Sequence, residues 1–541
     1  MKKIFNKLSI IFFATLVFAC SSEDELIEDW IAVNEVESPT PGTSGDLDLS
    51  SYVAIGNSLS AGYADGALYN QGQENSFPNL LAGQFAMVGG GDFNQPDINS
   101  ENGFNSTFSD VGSGVIAGRT VLDLSLQAPV PTSGELIAAY SGDKTTLGNF
   151  GVPGLKLADL ETAGYGFPDV GNPYFTRFAV DPNTSSVLGD ALAVDRTFFT
   201  LWLGANDYLG YALAGGQGTE PLTAYSSTDF ATDLGSALTQ LTANGSEGVV
   251  IDLPPVVTLP FFQAVTWDAI ELDAATASQL NDGLAAVNTA LQGTLSAGYS
   301  DSDDITRRLI SYSEGDNPIL VHDEELVDLE PYFDNLEAGM AITAQERAAL
   351  VPYEQSRPLV AGELVLLSAG AVLGTEADGD DSVEDTPIGV VIPLGFSFTE
   401  AANGDQYFLN AAEQAAIVTA RATYNGAISA TVASLNDAGA DIALVTVQPL
   451  FVDMLGLDAA TAAALALPTG SADGVKGIEV DGVTLTPDFA PNGVFSTDGV
   501  HPNPRGHAIV ANEIIATINA RWNASIPTIS VLEKLGVTFQ E

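Results

Sequence analysis

Three side chains placed toward the two ends of the chain carry the groups that acyl transfer uses. Ser58 stands in Gly56-Asn57-Ser58-Leu59, just past an apolar run that ends at Ile55. Far downstream, Asp498 and His501 lie three residues apart in Asp498-Gly499-Val500-His501-Pro502. An acid and an imidazole at that spacing can meet in one tight turn, and with a hydroxyl they make up the equipment of nucleophilic catalysis. Two further segments follow apolar runs, Asn149-Phe150-Gly151-Val152-Pro153-Gly154 and Gly204-Ala205-Asn206-Asp207. Taken singly, each has a plainer reading. Ser58 could cap a turn, Asn206-Asp207 could cap a helix, and His501 could be a satisfied loop histidine. The chain has 3 histidines. His507 falls inside a helical pattern, and His322 sits in an acidic stretch without metal-ligand spacing, so both are expected to be bystanders. Asp207 is expected to be structural.

The elements that must position these residues alternate. Five apolar runs read as buried parallel strands, Tyr52–Ile55, Thr145–Phe150, Thr197–Leu203, Gly248–Leu253 and Asp441–Val447. Helical patterns cover Asp229–Thr242, Ala411–Asn436 and about 505–521, the last opened by Pro502 and Pro504. Strands alternating with helices predict an open α/β sheet with helices on both faces. Such sheets present ligand-binding loops at the carboxyl ends of their strands, and Ser58 lies at such an end. The intervals 66–143, 155–195 and 256–405 exceed what crossovers need, so they are expected to be insertions in one domain. Within the last, Thr343-Ala344-Gln345-Glu346 predicts a capping box. The apolar stretches Leu359–Leu373 and Gly389–Phe396 would suit an acyl chain, but are expected to form the insertion's own core. The acidic segment 376–385 lacks EF-hand spacing and is expected to be a solvated loop.

Composition excludes several classes. Of 541 residues, 70 are acidic and 17 are Lys or Arg, for a formal charge of −53. A phosphate-binding surface needs concentrated cations, so a nucleic-acid partner is excluded. The 45% hydrophobic content rules out a wholly disordered chain. The 1 cysteine rules out an intramolecular disulfide framework and any cysteine-cluster metal site. Lys2, Lys3 and Lys7 precede an apolar run from Leu8 to Ala19, and Cys20 follows at once. Residues 1–19 are expected to be a secretory signal. The stretch Leu16-Val17-Phe18-Ala19-Cys20 resembles a bacterial lipoprotein signal, which implies lipidation of Cys20, attachment to a membrane, and an outer-membrane location. Residues 20–46, acidic and rich in Pro, Thr, Gly and Ser, read as a flexible tether, with the folded domain spanning 47–541.

In their order along the chain, the four blocks resemble the SGNH/GDSL hydrolase superfamily. Gly56-Asn57-Ser58-Leu59 matches the first block, Gly154 the second, Gly204-Ala205-Asn206-Asp207 the third, and Asp498 with His501 the last. Asn57 stands where the name motif has Asp, at a position that is not one of the family's catalytic groups. The resemblance implies a three-layer α/β/α fold of flavodoxin-like topology, with a five-stranded parallel sheet carrying insertions. It implies a serine ester hydrolase of lipase, acylhydrolase or carbohydrate-esterase type, needing neither metal nor cofactor, whose substrate is a small-molecule, lipid or glycan ester. Ser58 would be the nucleophile, His501 the base, and Asp498 the group that orients the base. The oxyanion hole would be the backbone N–H of Ser58, the backbone N–H of Gly154 and the side-chain amide of Asn206; one such donor is typically worth about 2.7–4 kcal/mol. A surface-anchored binding lipoprotein that kept the fold and lost catalysis is the alternative. The sequence carries no signal for oligomeric state.

Overall fold

The five sheet strands are short, and all but the three-residue second one are rich in β-branched or aromatic residues. In the computed structural model they are β1 (Tyr52–Gly56), β2 (Asn149–Gly151), β3 (Phe198–Trp202), β4 (Glu247–Ile251) and β5 (Ile442–Val445). The structure describes residues 42–540 apart from 127, 218–221, 223–224, 378–385, 399–403 and 469–474. The expected signal, Cys20, the tether up to residue 41 and most of the acidic segment 376–385 lie outside the described residues. All five strands pair in parallel, in the spatial order β5-β4-β3-β1-β2. Read from the other edge, this is the doubly wound order 2-1-3-4-5. Every residue of β1, β2 and β3 is buried, as expected of strands covered on both faces.

Two groups of helices supply that cover, and one further helix, Ala274–Ala297, packs in a separate cluster. Helix α1 (Ser58–Ala61) is a single turn at the end of β1, and α2 (Phe77–Ala86) follows it. Next come α3 (Val187–Leu192), α4 (Asn206–Leu213), α5 (Ser227–Thr242), α6 (Ala274–Ala297), α7 (Ala411–Asp437) and α8 (Pro504–Arg521). Helix α2 packs against α8, while α5 packs against α7 and α3. The Phe230 and Tyr424 rings stack at 4.4 Å where α5 meets α7. Each long helix begins on a side-chain cap. Ser226 accepts from Asp229 N–H at α5, Asn410 and Glu413 form a capping box at α7, and Asn503 accepts from Arg505 and Gly506 N–H at α8, with Pro504 at its first turn.

Three expectations change. Residues 145–148 are not strand, because the Asp143 carboxylate accepts the Thr145 N–H at 2.9 Å and turns Lys144–Thr146 into a 3-10 helix. The interval 66–143 is not wholly an insertion, since α2 is the crossover helix between β1 and β2, with Phe77, Leu80, Leu81 and Phe85 in the main core. Likewise α3, within 155–195, buries Val187, Leu188 and Ala191 in that core. The segment 256–405 does build hydrophobic clusters of its own. One gathers Leu284, Leu291, Tyr312 and Phe333, and another Leu359, Val365 and Leu394. Thr343 and Glu346 form the expected capping box. From Ser44 onward the chain is one compact unit.

Buried carboxyls set a pH dependence for the fold. Burial pushes Asp207 and Asp252 up to about 6, Asp405 up to about 7 and Glu413 up to about 8. Above pH 6.5 the unfolded chain has released these protons while the folded chain still holds some of them. Stability therefore falls as pH rises from 6.5 to 8.5. Below that window buried His507, held down near 3, and His322, also depressed by burial, act in the opposite sense. Urea unfolding followed at pH 6.5 and 8.5 should give the lower midpoint at pH 8.5, and an equal or higher midpoint there would contradict the assignment.

Candidate active site

Strand register brings the first three candidate segments to one edge. Gly56 at the end of β1 pairs with Gly151 of β2 and Trp202 of β3. Ser58, Gly154 and Asn206 therefore follow aligned strand ends within four residues. Gly56 tolerates no side chain, because a Cβ there would meet Ser60 Oγ at 2.1 Å and Trp202 O at 2.9 Å. Asn57 caps α1, its Oδ1 accepting the Leu59 N–H at 3.0 Å. Asp and Asn serve equally as caps, so the amide meets the demand of this position. Ser58 then opens α1 and is 7% exposed.

Asp498 and His501 arrive in the loop before α8. Asp498 Oδ1 accepts the backbone N–H groups of Val500 and His501, both at 2.9 Å, so the three-residue spacing folds into the expected turn. Asp498 Oδ2 lies 2.9 Å from His501 Nδ1, and His501 Nε2 lies 2.8 Å from Ser58 Oγ. Burial opposes ionisation of Asp498. The charge of His501, the ring hydrogen bond and the two backbone N–H groups outweigh it and hold the carboxyl at about 2. A carboxylate only accepts, so His501 Nδ1 carries the ring proton and Nε2 is left to accept from the serine hydroxyl.

The Gly154 loop is fastened to the start of α4. Gly154 has φ +82, a conformation L side chains rarely adopt, whereas a Cβ would meet only Asn172 Nδ2 at 3.7 Å. Backbone conformation, more than lack of space, requires glycine here. Asn206 Nδ2 donates one hydrogen to Leu155 O at 3.0 Å. Asp207 Oδ2 accepts the Leu157 N–H at 2.9 Å, which is the structural role expected of it. Among the described residues nothing accepts the Gly154 N–H. His322 lies in a short strand of the 256–405 segment, and His507 is buried in α8 with neither ring nitrogen bonded to a described residue.

A supporting network was not foreseen from the sequence. Asp65, 5% exposed, adopts φ +55 and turns the chain so that the Gly66 N–H donates to Asp498 Oδ2 at 3.0 Å. The Asp65 carboxylate accepts the Thr497 N–H and hydroxyl at 2.9 and 2.7 Å and the Tyr69 hydroxyl at 2.7 Å. Tyr63 lays its ring 5.1 Å from the His501 ring. The one sequence signal was the Asp-Gly pair, which favours a turn. Asp65→Ala is expected to lower kcat by about 10²-fold, since misplacing a catalytic group by an ångström costs that much. Asp65→Asn keeps an acceptor and tolerates the left-handed backbone, so it should restore most of the rate. Equal losses in both variants, each scored against its melting temperature, would contradict this role.

Ser58, Asn206 and His501 open onto one pocket. No family model matches the chain, and no curated protein or solved structure matches it.

Proposed function

We propose that this chain is a serine ester hydrolase of the SGNH/GDSL type. The observation that carries the reading is the continuous hydrogen-bonded series Asp498–His501–Ser58, at 2.9 and 2.8 Å, in a pocket at the carboxyl edge of a parallel sheet. In this reading Ser58 Oγ attacks the ester carbonyl carbon while its proton passes to His501 Nε2. Asp498 stabilises the imidazolium and fixes its tautomer. The negative charge developing on the carbonyl oxygen is met by the backbone N–H of Ser58, the unengaged Gly154 N–H and the second amide hydrogen of Asn206. Collapse of the tetrahedral intermediate breaks the bond to the leaving oxygen, which takes the proton from Nε2. A water molecule then attacks the acyl-serine, gives its proton to Nε2, and the acid leaves as that proton returns to Ser58. Lipid on Cys20 would hold the enzyme to a membrane.

The test uses the purified protein with p-nitrophenyl esters and an alkyl fluorophosphonate. Release of p-nitrophenolate, with the phosphonyl adduct mapped by mass spectrometry to Ser58 alone, is the expected result. An adduct on a different residue, or no turnover of any ester, would overturn the reading.

A further inference from the structure

The pocket is strongly asymmetric in its chemistry. Among its 21 lining residues, the polar side chains other than the Trp202 indole are Asn57, Ser58, Asn206 and His501. Asn57 is committed to capping α1 and the Trp202 indole N–H to Asp252 O at 3.0 Å, while the other three belong to the candidate machinery. No charged side chain lines it. Its walls come from separate elements: Leu209 on α4, Val256 after β4, Met454 on the helix Gln448–Leu455, Phe495 before the Asp498 turn, and Ile509 on α8. These five side chains are each 9% exposed or less, whereas Asn206 and His501 are half-buried. Asn57 and Ser58 are as buried as that wall, and half-buried Leu59, Leu450, Phe451 and Val500 carry the apolar lining out toward the opening.

We infer that this pocket is an acyl-chain site and that the substrate class is esters of unbranched fatty acids of medium length, not acetyl esters. The inference rests on the hydrolase reading and adds the identity of the acyl group. An acetyl methyl would leave most of the apolar wall untouched. A sugar would find no hydroxyl partner there, because every lining polar group is already assigned. A methylene chain running from the carbonyl carbon at Ser58 would cover the wall, and each buried methylene is worth about three- to fourfold in binding.

The test is a series of p-nitrophenyl acetate, butyrate, hexanoate and octanoate on the full chain, each below its aggregation concentration. kcat/KM should rise along the series, by at least about 10²-fold from acetate to octanoate. In Ile509→Phe, which fills the wall from α8, the octanoate-to-acetate ratio should fall about tenfold or more. Leu209→Phe is the second variant, from a different helix. If acetate is turned over as well as octanoate, the acyl-chain site is overturned while the hydrolase reading stands. A ratio unchanged in either folded variant also overturns it. If both variants fail to fold, the chain-length series on the unaltered protein decides the matter. If no ester is turned over and a fluorophosphonate leaves Ser58 unlabelled, both readings fall together.

Discussion

Ser58→Ala should lower kcat by about 10⁴- to 10⁶-fold while leaving the fold in place. The size follows from the chemistry, since no covalent intermediate can form and the imidazole has no hydroxyl to deprotonate. Stability should change little, because the Ser58 hydroxyl bonds to His501 Nε2 and the cap of α1 belongs to Asn57. The measurement is steady-state hydrolysis of a p-nitrophenyl ester beside a thermal melt of the same preparation. A folded Ser58→Ala protein with more than a few per cent of the original rate would remove Ser58 from the mechanism. A residual rate above that of water is expected, since the oxyanion donors and the pocket remain.

Asp498→Asn should cost about 10⁴-fold in kcat. The carboxylate is surrounded by donors: Oδ2 faces His501 Nδ1 and the Gly66 N–H, and Oδ1 faces the N–H groups of Val500 and His501. An amide NH₂ on either side therefore meets two donors, and the side facing the ring forces the His501 tautomer that cannot accept from serine. The substitution should also remove a pH-dependent share of stability. The folded carboxyl at about 2 lies below its ordinary value of 3.8. Its contribution, about 2 kcal/mol, is present above pH 4 and is lost as pH falls toward 2. The mutant should thus be less stable than the parent at pH 6 and approach it at pH 2. Retention of full activity, or a stability difference that does not shrink in acid, would contradict the assignment.

Much of the sheet was legible because a strand buried on both faces must be largely apolar, as Ile442–Val445 is throughout and Phe198–Trp202 is apart from Thr200, whose hydroxyl is paired with that of Tyr52. The second strand is shorter than the run Thr145–Phe150 that predicts it, since a single carboxylate, Asp143, captures the backbone at Thr145 first. Helix α2 was hidden because Phe77-Pro78-Asn79-Leu80-Leu81 sits inside a long interval that also holds the short helix Asn70–Glu74 and an antiparallel hairpin of Ala117–Asp123 with Ala128–Ser133. Within the site, the types and spacing of Asp498 and His501 were enough to suggest one turn. The Asp65 support was not, because it depends on a left-handed backbone and on hydrogen bonds between residues 432 positions apart. The pocket was hidden for a related reason, as its wall is assembled from five elements and no one of them reads as a binding motif.

Ser58 and His501 are separated by 443 positions and come into contact across the C-terminal helix boundary. A chain growing from its N-terminus therefore carries an ordinary, unreactive serine until residue 501 has been made. Pairings of that sequence separation also form late and slowly in folding. On the hydrolase reading, ester turnover would therefore report on this long-range contact, which secondary structure does not sense. A fragment ending before Asp498 would contain all five strand sequences and still lack both partners of Ser58.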